Sequence, residues 1–415
     1  MNKRVSVVML GVVCLSALIY AGCTKKVAAP AGPAATVKAK KITLYQRKAE
    51  LNDRFEELAQ IYEKETGVEV EVLGASSDSY ITSIQGKLTG KQDLTIFTIR
   101  TGVETEQLKA YLADMSGEPY LKNINPGMEL IVDGKVVGIP YGIEGYGFMY
   151  NKNMVQPETI TNLEGFRATL AALKSQGLDP FELSDKGFML IGHILNNPFA
   201  VQDDPLGFIA RLNKGEVKMA DTPAFKEWAE YMAVIKEYCA NPMETTYDQQ
   251  IANFATGKTA MINQGNWTWA MFEDYPLDFE IGIAPMPLAG NAKIAVGVPN
   301  YFAVNSQGTP EEIEAGKDFI EWLFTSDVGK EYIVNKLYLV PAMSTIDVGN
   351  NLDPISKIVL EETRKGNSLM WTYNYWPNNI VNNFLVPAAQ DFFLNKAMTG
   401  QQFLENLDKA WVQAN

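Results

Sequence analysis

Between residues 42 and 99 the hydrophobic period alternates between two and 3.6 residues, and this rhythm restricts the fold more than any other feature. Residues 42–45 read as a strand. Asp53 and Glu56 have the spacing of a capping box, and Phe55, Leu58, Ala59, Ile61 and Tyr62 form a helical stripe that stops at Gly67. Residues 68–72 alternate Val and Glu as a half-buried strand does, a helix is expected over 79–88, and residues 93–99 form the apolar run of a buried parallel strand. Strand-helix-strand-helix-strand implies an α/β fold with right-handed crossovers and helices on both sheet faces.

The rhythm breaks near Val136. Asp133-Gly134 is a hairpin signal, and residues 136–150 are strand-like but punctuated by Gly and Pro, as suits a chain crossing between lobes. Residues 162–271 are mainly helical by period. A second crossing is expected at 295–304, followed by Thr309-Pro310-Glu311-Glu312, an N-cap, a first-turn Pro and a capping-box Glu. Residues 337–341 are a third candidate, and helices are expected over 354–364 and 378–411. About 375 residues follow residue 40, more than one core usually holds, so two lobes are expected.

The first 22 residues have the layout of a secretory leader: Lys3 and Arg4, an apolar run over 5–20, then Ala21 and Gly22 before Cys23. Ala21-Gly22-Cys23 resembles a bacterial lipobox, with Tyr20 where leucine is usual. That resemblance implies a diacylglyceryl group on the Cys23 thiol and a chain anchored by lipid outside the cytoplasm. Residues 23–40 carry small residues and two prolines without apolar periodicity, and read as a tether.

The formal net charge is −13, and loss of Lys3 and Arg4 with the leader takes it to about −15, which disfavours nucleic acid and anionic lipid as partners. With Cys14 in the leader and Cys23 modified, Cys239 stands alone, so no intrachain disulfide is expected and Cys239 reads as a buried small hydrophobe. His193 is the only histidine, which leaves no basis for a His-based zinc site or a Ser-His-Asp triad. Core packing or a ligand contact is its expected role, and no metal or other cofactor is called for.

Five segments, in order, carry a family resemblance: residues 42–45, 55–67, 92–97 (Gln92 replacing a usual Pro), 138–152 with Gly138-Ile139-Pro140 and Tyr150-Asn151-Lys152, and 254–267 with Phe254, Gly257, Ala260-Met261, Gly265 and Trp267. Together they resemble the family 1 extracellular solute-binding proteins, the maltose-binding type, over the whole body. The resemblance implies a two-lobed periplasmic-binding-protein type II fold with a ligand cleft between lobes joined by crossing strands. It implies lobe 1 at 41–143 and 302–340, and lobe 2 at 144–301 and 341–415. It also implies a monomer that captures a carbohydrate, expected to be an oligosaccharide, closes on it by hinge motion and passes it to the permease subunits of an ABC importer.

A sugar needs flat rings for its C–H faces and polar groups for its hydroxyl rim. Trp267 matches the family's cleft Trp, and Gly265 before it is expected to let the backbone approach the ligand. Trp371, Tyr373, Tyr375 and Trp376 are four aromatics in six residues before a Pro. Trp371, Tyr373 and Trp376 are candidates for the aromatic platform that the family places there. Glu144, with Tyr146 nearby, lies in the first crossing. Arg100, Gln46 and Arg47 end strands at the carboxyl edge where α/β folds bind ligands, and Asn300 and Tyr301 lie in the second crossing. Each of these polar residues fits a surface or hinge-packing role equally well. A secreted glycosidase would need two carboxylates facing each other across a cleft, for which Glu144 has no evident partner. A binder of another solute class and a sensory receptor of the same fold remain the alternatives.

Overall fold

The computed structural model describes residues 39–48, 51–75 and 77–415. The leader, Cys23 and most of the tether lie outside these residues.

The expected α/β rhythm is present. Strand β1 (Lys41–Gln46), helix α1 (Asn52–Thr66), β2 (Glu69–Gly74), α2 (Ser77–Thr89), β3 (Ile96–Ile99) and short α3 (Val103–Leu108) follow in order. Helix α1 ends on Gly67, whose φ of 75° only glycine adopts without strain. The Asp53–Glu56 capping box does not form. The helix starts two residues earlier than that box requires, its cap Leu51 makes no side-chain bond, and Glu56 accepts from the Asn52 amide instead. After α3 comes the hairpin of β4 (Leu130–Val132) and β5 (Lys135–Pro140), turned by Asp133 and Gly134, both at positive φ.

The chain then crosses into β6 (Glu144–Asn151), which starts the second lobe. Helices α4 (Leu163–Ser175), α5 (His193–Ala200), α6 (Pro205–Asn213), α7 (Pro223–Tyr238) and α8 (Tyr247–Ala255) follow. After them come β7 (Met261–Gly265), the short α9 (Trp269–Phe272), β8 (Ile281–Ala284) and β9 (Ile294–Gly297). Strand β10 (Tyr301–Val304) returns to the first lobe with α10 (Pro310–Thr325) and α11 (Asp327–Asn335). Here the Thr309 box forms as expected, with Thr309 and Glu312 bonded to each other's backbone N–H. The last elements are α12 (Pro354–Arg364), β11 (Ser368–Leu369), α13 (Val386–Leu394) and α14 (Gly400–Ala414).

Two sheets result. The first has six strands in the order β2-β1-β3-β10-β5-β4, and the second has β11-β9-β6-β7 with β8 also on β6. Strand β1 is parallel to both β2 and β3, whereas β10 is antiparallel to β3 and β5. Period-two alternation divides the first lobe's core. Leu44, Ile96, Ile139, Phe302 and Val304 face one layer, while Tyr45, Phe97, Ile99, Val137 and Ala303 face the other.

The crossings lie side by side. Tyr301 pairs with Pro140 in the first sheet and Glu144 with Gly297 in the second, so β5–β6 and β9–β10 run antiparallel through the joint. Between the sheets, the Tyr141 N–H donates to the Asn300 carbonyl at 2.8 Å and the Ile143 N–H to the Val340 carbonyl at 2.7 Å. Tyr301 is therefore a first-lobe residue. Ile346 and Leu352 also pack in that lobe's core, so the third crossing ends near Asp353 and not at residue 341. The Asp353 carboxylate caps α12 by accepting from the Ile355 and Ser356 N–H groups.

Candidate functional site

The cleft between the lobes encloses about 680 Å³, within the range of small-molecule sites. Its first-lobe wall comes from the carboxyl ends of β1 and β3. Arg47 follows β1 and is buried. Its guanidinium meets Glu104 of α3 through two parallel bonds of 2.9 and 2.6 Å. The second Glu104 oxygen also accepts from the Arg100 backbone N–H at 3.0 Å. Burial pushes the Glu104 carboxyl upward, but Arg47 and Arg100 pull it down to about 2. Lys48 reaches across the joint to Glu144 at 2.5 Å. The Arg100 guanidinium lies 5.0 Å over the Phe188 ring of the second lobe and borders the cavity.

The second-lobe wall consists of rings. Trp267 stands in the turn after β7, its indole N–H donating to Gln264 at 3.1 Å. Trp371 and Tyr373 follow β11, and Phe188 opens a turn of π-helix before α5. His193 sits among them, 4.5 Å from Tyr146, 5.1 Å from Trp267, 5.4 Å from Phe188 and 5.7 Å from Tyr373, centroid to centroid. Burial, then the Arg100 and Lys48 charges, push its imidazole down to about 3, so it is neutral at physiological pH. Glycines make room for two of these rings. A Cβ on Gly265 would lie 2.3 Å from the Trp267 ring and 2.5 Å from the Gly145 carbonyl, and one on Gly297 would lie 2.8 Å from Trp371. The role expected of Gly265 is thus revised: it seats Trp267 rather than opening backbone to a ligand.

Contacts between the walls hold the lobes together. Arg54 of α1 pairs with Glu273 at 2.8 Å and lies 5.2 Å over the Tyr338 ring, while the Tyr338 hydroxyl bonds Glu273. At the opposite rim Gly102, at φ 80°, lies so close to the Asn374 carbonyl that a Cβ would be 2.1 Å away. The Lys48 ammonium is 5.9 Å from the Trp267 ring and joins the two surfaces at depth. Rings on one side and fixed N–H donors on the other suit a ligand with apolar faces and an acceptor-bearing rim. Among the described residues no group of three or more His, Cys, Asp or Glu side chains is arranged to hold a metal.

Seven of the ten expected contact residues border this cleft: Trp267, Trp371, Tyr373, Glu144, Arg100, Arg47 and Asn300. Three do not. Trp376 is 2 % exposed and packs against Phe199 and Trp411 at 4.9 and 5.7 Å, as a core residue of the second lobe. Gln46 is fully buried and holds its own turn, bonding the Lys48 N–H at 2.6 Å and Asn52 at 3.2 Å. Tyr301 packs in the first lobe's core against Gly138. Sequence reasoning missed Phe188, Lys48, Arg54 and Glu273, and left His193 undecided. A π-turn, often found at functional sites, marks Phe188 only once the backbone is known.

A family model described as bacterial extracellular solute-binding protein matches residues 57–351. A maltooligosaccharide ABC transporter solute-binding lipoprotein of Streptococcus pneumoniae (strain ATCC BAA-255 / R6) is 23% identical over 357 residues, which cover 81% of this chain and 80% of that protein. Among solved structures, a chitin oligosaccharide binding protein superposes with a TM-score of 0.75 at 20% identity, covering 90% of this chain and 98% of the other. The solute-binding protein RafE in complex with raffinose gives a TM-score of 0.75 at 17% identity, covering 90% and 99%.

Proposed function

Since the chain belongs to the bacterial extracellular solute-binding proteins, we propose that it is the substrate-binding lipoprotein of an ABC importer, capturing an oligosaccharide and delivering it to the permease. One observation carries the sugar assignment: Phe188, Trp267, Trp371 and Tyr373 share one wall of a cleft that two lobes close. Such rings match the C–H faces of pyranoses, and the Arg100 guanidinium and Asn300 amide opposite match the hydroxyl rim.

In this reading the ligand first lies on the aromatic wall. The first lobe then swings about the paired crossings at 140–144 and 297–301 and adds its polar contacts. Only contacts made in the closed form shift that equilibrium, so the first-lobe donors determine how far binding drives closure. The protein performs no chemical step, works as a monomer and offers the closed lobes to two permease subunits. It reaches the membrane through the Cys23 lipid alone, and nucleic acid is not a partner.

A thermal-shift screen of the chain without leader and tether tests this reading, using mono- and oligosaccharides with amino acids, polyamines and phosphate esters as controls. A saturable shift with a saccharide that Trp267→Ala abolishes is expected. A shift with a non-sugar control alone would overturn the ligand class.

A further inference from the structure

Within the cleft, charge is cancelled group by group, with one exception. Arg47 is matched by Glu104 through two bonds, and Lys48 by Glu144. At the rim Arg54 is matched by Glu273. Asp53, Lys186, Asp248 and Asp274 also border the opening, but they are exposed and water screens them. Arg100 is different. Its backbone N–H and carbonyl bond Glu104 and Thr105, but among the described residues its guanidinium has no ion pair or hydrogen bond, only the Phe188 ring beneath it. Both Glu104 oxygens are bonded by Arg47, and neither is bonded to the Arg100 guanidinium.

Four buried polar atoms of the lining have no hydrogen-bond partner among the described residues: Trp371 Nε1, Arg47 Nε, His193 Nδ1 and the Asn300 amide oxygen. The Trp371 indole N–H is buried beside the cavity without an acceptor, and so is the Arg47 Nε–H. Against them stands the unbonded Asn300 amide oxygen, suited to a hydroxyl. A neutral saccharide closing into this cleft would bury the Arg100 guanidinium with no carboxylate bonded to it, only the charges of Glu104 and Glu144 nearby, an unfavourable outcome that a ligand carboxylate relieves. A planar carboxylate also matches the guanidinium fork in both geometry and charge.

We propose that the saccharide is acidic, a uronic-acid-containing oligosaccharide whose carboxylate pairs with Arg100 while its rings lie on Trp267, Trp371 and Tyr373. This rests on the saccharide reading above and narrows it. Two consequences follow from the geometry. Affinity for the acidic ligand weakens with added salt more than affinity for a neutral analogue does. His193, whose imidazole is held low partly by the Arg100 charge, regains affinity for protons when a carboxylate covers that charge.

The test is calorimetric titration of the wild-type chain with oligogalacturonides and oligoglucuronides, each beside its neutral galacto- or gluco-oligosaccharide of equal length and linkage. Arg100→Gln and Arg100→Lys follow, with Arg54→Gln as a cation control at the rim. The proposal expects an acidic member bound about tenfold or more tighter than its neutral match, as for a charge-assisted bidentate pair. Arg100→Gln should erase that preference, Arg100→Lys should keep part of it and Arg54→Gln should leave it intact. Neutral oligosaccharides bound as tightly as the acidic ones in the wild type would overturn the proposal and leave the saccharide reading standing. Binding of neither kind, beside binding of a non-sugar, would overturn both. The wild-type comparison decides the matter even if the Arg100 variants fold poorly.

Discussion

The two walls of the cleft are built on opposite principles. The first-lobe wall is a set of charges placed by strand ends and a short helix: Arg47 is held by Glu104 and Lys48 by Glu144, while the Arg100 guanidinium lies over the Phe188 ring. The second-lobe wall is a set of rings: Phe188, Trp267 and Tyr373 gather around the neutral His193, and Trp371 packs beside Tyr373. Charged groups in this setting depend on one another, because removing one leaves a buried partner uncompensated. Rings depend on shape and area, so one can be cut back with less damage to its neighbours. Substitutions in the paired charges, Arg47–Glu104 and Lys48–Glu144, should therefore register mainly in stability, and substitutions at Arg100 and in the aromatic wall mainly in affinity.

Glu104→Gln challenges that contrast most strongly. It leaves Arg47 buried without a counter-ion, and the expected loss of stability is about 3–5 kcal/mol in chemical unfolding. A loss no larger than that of an exposed ion pair would mean the charged wall is not an interdependent unit. The same group sets an acid limit. Glu104 is held at about 2 against an ordinary value of 4.5, so its contribution is full above pH 4.5 and fades as pH falls toward 2. His193 acts in the same direction. Its value near 3 in the fold against 6.5 unfolded means the unfolded chain takes up protons first, so stability begins to fall below about pH 6.5.

Trp371→Ala comes next and probes the other wall. Loss of the ring is expected to cost about 2–3 kcal/mol of saccharide affinity, roughly 30- to 150-fold, read by titration calorimetry. Gly265→Ala sharpens the assignment without deleting a ring. The added Cβ meets both Trp267 and the Gly145 backbone, so affinity should fall by about 1–3 kcal/mol as the indole is displaced. Unchanged affinity would mean Trp267 is not part of the platform. Arg54→Ala should have the smallest effect. Arg54 is partly exposed and Glu273 nearly half exposed, so below about 1 kcal/mol is expected, read as slightly weaker closure in interlobe distance measurements.

The fold was legible from periodicity. The strands and helices between residues 41 and 99, the 133–134 turn, the Thr309 box and the crossings all rest on local patterns, and local patterns decide elements. The Asp53 box failed because Asn52 starts the helix and takes Glu56 for itself. The cleft was legible only where chain position implied it, at Trp267, Trp371, Tyr373 and the strand-end cations. Trp376 carries the same aromatic signal as Trp371 five residues earlier, yet the turn between them points it into the core beside Phe199 and Trp411. Lys48 and Glu144 are 96 residues apart and Arg54 and Glu273 are 219 apart, so neither pairing has a local signature.

The central claim is that a saccharide lies against the ring-bearing wall while the lobes close on it. Tryptophan fluorescence titration of an oligosaccharide that binds the wild type, repeated on Trp267→Phe, Trp371→Phe and the doubly substituted Trp267→Ala/Trp371→Ala chain, tests this most directly. The account predicts a saturable change that shrinks in each Phe variant and affinity reduced at least about 100-fold in the double Ala variant. Wild-type affinity in the double Ala variant would contradict it and move the ligand away from this wall.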